Sequence, residues 1–166
     1  MFNLRGGWSI RTQVERDFVH FDRGYYEGYS VKTPDSLEPF QVPGGLSNLW
    51  VRSVTATSPV FRAFNASVVM QRAEVAIFAE ASEGDERQVT TTVGLRPTTS
   101  IRAEASTVYS RITRARDGSE FARTIIPRLK VEYQPNRTLF FRVVGEYRSQ
   151  RQDALYDPWT GDNRLV

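Results

Sequence analysis

Strict alternation of apolar and polar side chains constrains this chain more than any other feature. In the segment from 121 to 133, Phe121, Leu129 and Tyr133 fall on one set of positions, and Arg128 and Lys130 fall on the other. Because successive side chains of a strand point to opposite faces, this spacing predicts a long strand with one apolar and one polar surface.

The same alternation recurs elsewhere, and no window has the spacing of a helix. Strong cases are residues 2–15, 99–113 and 139–147, and weaker ones lie near 49–57, 60–70, 72–81 and 87–96. The sequence therefore predicts an all-β fold, an antiparallel up-and-down meander of about eight long strands.

Strand length favours a membrane barrel. Mean strands in globular proteins run about 5–6 residues, whereas strands that cross a bilayer at a tilt need about 9–11. The segments 2–15, 99–113 and 120–134 exceed the larger figure, and Tyr109 and Tyr133 lie toward strand ends, where an interfacial aromatic girdle is expected. A soluble barrel or sandwich with inward apolar faces is the alternative.

The connections divide into short and long ones. Residues 96–99 and 134–137 contain proline at turn positions and predict tight turns, whereas residues 114–119 predict a looser polar loop. Within a single domain over 1–166, we predict a long loop region at 17–48 and a loop-like tail at 149–166. Short turns at one end and longer loops at the other are typical of transmembrane barrels.

Composition excludes several kinds of chemistry. The chain has no Cys and one His, which excludes disulfide frameworks and thiolate chemistry and leaves little for a zinc centre. The net charge is +3, but the arginines are spread along the sequence, and pairs such as Arg72/Glu74 share a strand face. We interpret this as a self-neutralising face and predict no nucleic-acid partner, no metal and no cofactor.

No residue set predicts catalysis. His20 lies between Asp17 and Asp22, but no G-x-S-x-G nucleophile elbow accompanies it, so the chain itself is not predicted to be an enzyme. The segment 157–163 carries oxygen ligands and a glycine but lacks the spacing of a calcium-binding EF-hand loop.

Loop aromatics are the candidate ligand contacts. Exposed rings in loops are enriched at binding sites and stack on sugars. The candidates are Tyr25, Tyr26, Tyr29 and Trp159.

One resemblance covers most of the chain. Leu95-Arg96-Pro97, the run from Arg128 to Gln134, and the run from Phe140 to Arg148 resemble the C-terminal β-barrel region of an uncharacterised bacterial outer-membrane family. Members of that family join a carbohydrate-binding-module-like N-terminal domain to a membrane barrel. Neither that domain nor a signal peptide precedes the first predicted strand here, so we expect the chain to be a fragment of a longer protein.

The resemblance and the strand pattern together predict an outer-membrane β-barrel segment of a Gram-negative bacterium. Its expected role is membrane anchorage or solute passage, linked to glycan handling by the missing domain, with outer-membrane lipid and a glycan or small solute as partners. The alternative is a soluble β-barrel or sandwich that binds a small apolar or glycan ligand.

Overall fold

The structure is a computed structural model that describes residues 1–166. No helix in it is long and apolar enough to cross a membrane. The strands are β1 (Phe2–Asn3), β2 (Ser9–His20), β3 (Ser30–Lys32), β4 (Leu37–Pro39), β5 (Gly45–Thr57), β6 (Phe64–Ile77), β7 (Ser82–Leu95), β8 (Ile101–Arg114), β9 (Glu120–Tyr133), β10 (Phe141–Glu146), β11 (Ser149–Gln152) and β12 (Arg164–Leu165), with 3-10 turns at Arg23–Tyr26 and Phe78–Glu80.

Nine strands form one antiparallel sheet in the order β1-β2-β5-β6-β7-β8-β9, with β10 and β11 pairing one after the other with β9. The predicted all-β antiparallel meander is confirmed. The two edges of the sheet, β2 with β1 and β10 with β11, do not pair with each other.

The predicted strand over 2–15 is wrong at its start. Residues 2 and 3 fold back as a separate strand, with Phe2 opposite Ile10 and Asn3 opposite Ser9. Gly6 and Gly7 both adopt positive φ, near +84° and +83°, a region that favours glycine and lets the chain reverse. Alternation alone does not reveal a turn whose flanking residues keep the same pattern.

Two other segments also differ from the sequence expectation. The runs 60–70 and 72–81 belong mainly to one strand, β6, which continues to Ile77. The predicted strand over 139–147 is followed by a second short strand, and both β10 and β11 pair with β9 as its outer neighbours. The break between them lies opposite Pro127 of β9, where Tyr147 donates its amide to the Pro127 carbonyl. Proline has no N–H to return, so the ladder is interrupted there.

The strand register sorts side chains into two faces across the whole sheet. We call the first the apolar face; its apolar members include Ile10, Val14, Val54, Phe64, Val68, Met70, Val89, Val93, Leu95, Ile101, Ile125, Leu129, Val131, Tyr133, Phe141 and Val143. We call the second the polar face; it carries Arg11, Gln13, Ser53, Thr55, Ser67, Gln71, Gln88, Thr90, Thr92, Arg102, Glu104, Ser106, Ser110, Thr124, Arg128, Lys130, Glu132, Arg142 and Glu146.

The apolar face has no second layer packed on it. Leu129 is 51% exposed, Tyr133 45% and Val143 68%. The whole chain exposes 11,562 Å², whereas a folded soluble monomer of this mass is expected to expose about 8,400 Å². The sheet therefore leaves the apolar half of its side chains open.

The hydrophobic core lies at one end of the sheet instead. We call residues 21–44 and 153–166 the cap; they include β3, β4 and β12, which form a second small sheet. The segments predicted as a long loop region and a loop-like tail thus contain paired strands, and β11 of the tail belongs to the main sheet. The buried cluster consists of Phe21, Tyr26, Val31, Phe40, Ala81 and Leu165.

Candidate functional site

The three candidate tyrosines lie together in the cap. Tyr26 packs edge-on against Tyr25 and Tyr29, with ring centroids 5.2 and 5.6 Å apart. Tyr26 itself is buried, and its hydroxyl donates a 2.6 Å hydrogen bond to the carbonyl of Phe78. Burial is the main cause that raises the pKa of Tyr26 above its ordinary value. Tyr26 is therefore a core residue that ties the cap to the β6–β7 turn.

A cleft of about 540 Å³ opens beside this cluster. Tyr26 and Tyr29 contribute to its wall, together with Arg23, Phe40 and Gln41. Tyr25 does not line the cleft, and its side chain is exposed to solvent.

Trp159 lies on a different cleft. Its ring is exposed and its indole N–H donates a 2.8 Å hydrogen bond to the Gln41 carbonyl. The ring helps to line a space of about 430 Å³ whose other walls include Leu46, Glu83 and Arg116. Three of the four predicted aromatics thus line two neighbouring clefts, Tyr26 and Tyr29 one and Trp159 the other, and Tyr25 lines neither.

The most deeply buried charges in the chain were not singled out by the sequence. The side chains of Arg114 and Glu80 are 2% and 0% exposed. The Arg114 guanidinium donates to both Glu80 carboxylate oxygens, at 2.9 Å from Nε to Oε2 and at 2.7 Å from Nη2 to Oε1. Such a two-point pair fixes orientation as well as charge.

Arg114, the last residue of β8, also holds the tail of the cap. It donates to the Ala154 carbonyl at 2.8 Å and to the Asp153 carboxylate at 3.3 Å, and it lies over the ring of Tyr156. Glu80 in turn accepts the amide of Tyr156 at 2.9 Å. The pair therefore anchors the tail to the last residue of β8 and to the β6–β7 turn. The one sequence signal was a glutamate next to the apolar run 77–79.

The other chemical candidates are isolated. His20 is the exposed last residue of β2 and makes no hydrogen bond to a carboxylate through its ring. Asp157 accepts the amide and hydroxyl of Thr160 at 3.0 and 2.9 Å, which closes a turn. No group of three or more His, Asp or Glu side chains comes together as a metal site.

Comparison with known proteins gives no assignment. No family model, no curated protein and no solved structure matches this chain. The functional argument therefore depends on the two faces of the sheet and on the cap.

Proposed function

We propose that this chain forms part of the wall of an outer-membrane-type β-barrel and serves membrane anchorage or solute passage. The observation that carries the proposal is the uncovered apolar face, which extends across the strands from β2 to β10 on the side of the sheet away from the cap. In water such a surface is costly, because it leaves many apolar side chains hydrated, whereas the hydrocarbon chains of lipid would cover it. The polar face then lines the water-filled side.

The height of the apolar face supports this placement. On β8 the face runs from Tyr109 to Ile101, with Ala105 and Ala103 between them, and Arg111 lies just beyond its cap-side border. Eight steps of about 3.3 Å give about 26 Å along the strand. At a tilt of about 40° this spans about 20 Å, which is comparable with the lipid-facing band of about 25 Å in outer-membrane barrels.

Aromatic rings border the band at both ends. Trp50 and Tyr109 lie toward the cap, and Phe64 and Tyr133 lie at the opposite border, where Tyr133 stacks on Phe141 with centroids 6.4 Å apart. Outer-membrane barrels carry such girdles at both interfaces. The cap end carries the longest connection, residues 21–44, and in this proposal it faces the outside. The connection 115–119 at that end is no longer than 96–100 and 134–140 at the opposite end, so the predicted contrast between tight turns and a looser loop is wrong.

The proposal requires partners for the two sheet edges. In lipid each backbone N–H and C=O needs a hydrogen-bond partner, so a sheet that spans the membrane must close. We infer that a second copy of the chain completes the wall beside β2 and β10, so the chain without any other protein is expected to fold in vesicles.

The cysteine-free chain permits a direct test. Leu129→Cys places a label in the middle of the apolar face, and Ser106→Cys places one on the polar face in the same part of the sheet. After folding in phosphatidylcholine vesicles, a lipid-borne nitroxide should quench the label at 129, and aqueous iodide should quench the label at 106. Equal access of iodide to both labels, or a cooperative monomer in buffer without detergent, would overturn the proposal.

A second candidate is binding of a small apolar or glycan ligand in the cap. The observation that favours it is the exposed Trp159 on the wall of the 430 Å³ cleft. Titration of oligosaccharides should then change tryptophan fluorescence, and Trp159→Ala should abolish the change while Trp50→Phe should leave it intact.

A further inference from the structure

Six arginines that are far apart in the sequence form one row across the apolar face. Each is the direct register partner of the next: Arg52 with Arg72, Arg72 with Arg87, Arg87 with Arg111, Arg111 with Arg123, and Arg123 with Arg151. We call these six residues the arginine row. The arginines are indeed spread along the sequence, but the register gathers these six, and the expected self-neutralisation is only partial among them.

A row of like charges needs an explanation. Like charges directly opposite each other on neighbouring strands are destabilising, and here the arrangement is repeated over five successive strand pairs. At about 4.8 Å between strands the row spans about 24 Å. Five of the six side chains are exposed, and Arg111 is half-buried.

Carboxylates compensate only part of the charge. Asp85 pairs with Arg72 at 3.4 Å, and Glu120 pairs with both Arg111 and Arg123. Glu74, the third nearby acid on this face, accepts the backbone amide of Trp50 at 2.9 Å. These three acids lie on the cap side of the row.

Three members of the row make no ion pair within the chain: Arg52, Arg87 and Arg151. Arg52 lies 5.9 Å from the centre of the Trp50 ring, which Arg16 also approaches at 5.6 Å. The row thus has uncompensated positive charge that points away from the sheet.

The position of the row indicates which kind of counter-ion would fit it. On the side away from the cap, the next row of the apolar face is Val54, Met70, Val89, Tyr109 and Ile125. Positive charge bordering directly on an apolar band matches a molecule with an anionic head and an acyl tail. The phosphates of a nucleic acid would pair with the arginines, but they would leave the neighbouring apolar side chains without an apolar contact.

We propose that the arginine row binds the phosphate groups of anionic membrane lipids at the cap-side interface of the membrane. The proposal rests on the proposed function, since it takes the apolar face as the lipid-facing one. Guanidinium groups pair with phosphate oxygens through two parallel hydrogen bonds, which suits arginine better than lysine for this role. The row would fix the depth and orientation of the wall in the bilayer.

The test compares vesicles of phosphatidylcholine alone with vesicles that also contain phosphatidate, a phosphomonoester lipid. The variant R52Q/R87Q/R151Q removes the three unpaired arginines. The control R11Q/R102Q/R128Q removes the same charge from the polar face, where Arg128 makes only a 3.9 Å contact with Glu146. Flotation gives the vesicle-bound fraction, and lipid quenching of a label at position 129 reports insertion.

We expect phosphatidate to tighten binding of the unmodified chain and of the control by about tenfold or more at low salt. The row variant should lose most of this gain yet insert normally into phosphatidylcholine. Insertion of all three proteins without any phosphatidate dependence would overturn the lipid-phosphate proposal and leave the proposed function standing. Failure of all three to insert into either vesicle would overturn both.

Two competition experiments distinguish membrane lipid from other sources of phosphate. Inorganic phosphate at the same phosphate concentration should leave vesicle binding unchanged, and displacement by it would overturn the assignment to lipid. A DNA duplex that binds more tightly than phosphatidate vesicles, with the same loss in the row variant, would identify nucleic acid as the partner instead.

Discussion

The cap buries its apolar side chains, whereas the sheet leaves those of its apolar face exposed. Between the cap and the β6–β7 turn, six residues from three chain segments bury one another, and Phe21 is only 1% exposed. In the sheet, side chains of the same kinds, such as Phe141 and Leu129, stay more than half exposed. Since both regions belong to one chain, the difference shows that exposure of the apolar face is a property of the sheet and not of a poorly packed molecule.

The two regions also differ in whether their charged side chains are buried and paired or exposed. The cap encloses Arg114 and Glu80 with a full set of hydrogen bonds, as buried charges require. The sheet leaves Arg87 and its neighbours on an open surface. A core that excludes water holds Arg114 in place, whereas Arg87 is accessible to an external anion.

Breaking the buried pair should have the largest effect. Arg114→Ala leaves the Glu80 carboxylate buried without a counter-charge, which we expect to cost about 3–5 kcal/mol in the free energy of unfolding. Urea unfolding followed by Trp159 fluorescence measures the loss in the cap.

The matched variant replaces both partners. Arg114→Met with Glu80→Leu removes both charges, so it should recover a large part of the loss. If Arg114→Ala leaves the cap as stable as before, the pair does not anchor the tail.

A charge in the centre of the apolar face should have the next largest effect. In vesicles, Leu129→Arg should destabilise the folded sheet by about 2–4 kcal/mol, because the side chain would face the middle of the bilayer. Ser106→Arg on the polar face is the control and should change stability little. Equal losses for the two variants, measured by urea titration in vesicles, would contradict the assignment of the faces.

Removing one hydroxyl in the cap should have a smaller effect. Tyr26→Phe loses the hydrogen bond to the Phe78 carbonyl and should cost about 1 kcal/mol. Tyr25→Phe changes an exposed ring and should cost nothing measurable. Thermal unfolding of both variants compares them, and equal melting temperatures would show that the hydroxyl does not hold the cap on the β6–β7 turn.

The smallest expected effect is the loss of stability at low pH that follows from protonation of one carboxylate. Hydrogen bonds from the Ser119 side chain and amide, the former being the larger cause, lower the pKa of Asp117 in the β8–β9 loop. The stabilisation is therefore present above the carboxyl's ordinary pKa and is lost as the pH falls through the lowered folded-state pKa. Carbon-detected NMR titration of the Asp117 carboxyl should give a midpoint below that of a free aspartate, and Ser119→Ala should raise it.

Much of the sheet could be predicted from local pattern. Alternation in the segments around Ala105 and Leu129 was sufficient, because a strand places alternate residues on opposite faces whatever its neighbours are. The turns after Arg96 and Gln134 were equally local, since proline and hydrogen-bonding side chains such as Asn136 specify them.

The cap and the candidate site could be predicted only in part. The sequence marked Tyr26 and Trp159 as aromatics in loops but could not divide them between a core and a cleft. That division depends on the tail folding back onto residues 30–32, a contact between segments more than 130 positions apart. No local pattern encodes such a distant pairing.

The sequence by itself determined the period of the strands and the chemical contrast between their two faces. Only the tertiary structure decided which residues of different strands stand side by side. The arginine row shows the physical reason: a shift of one residue in register would move Arg87 or Arg111 to the other face, and a shift of two would take it out of line. Hydrogen bonding between strands fixes that register, and with it the scattered arginines become a single charged border.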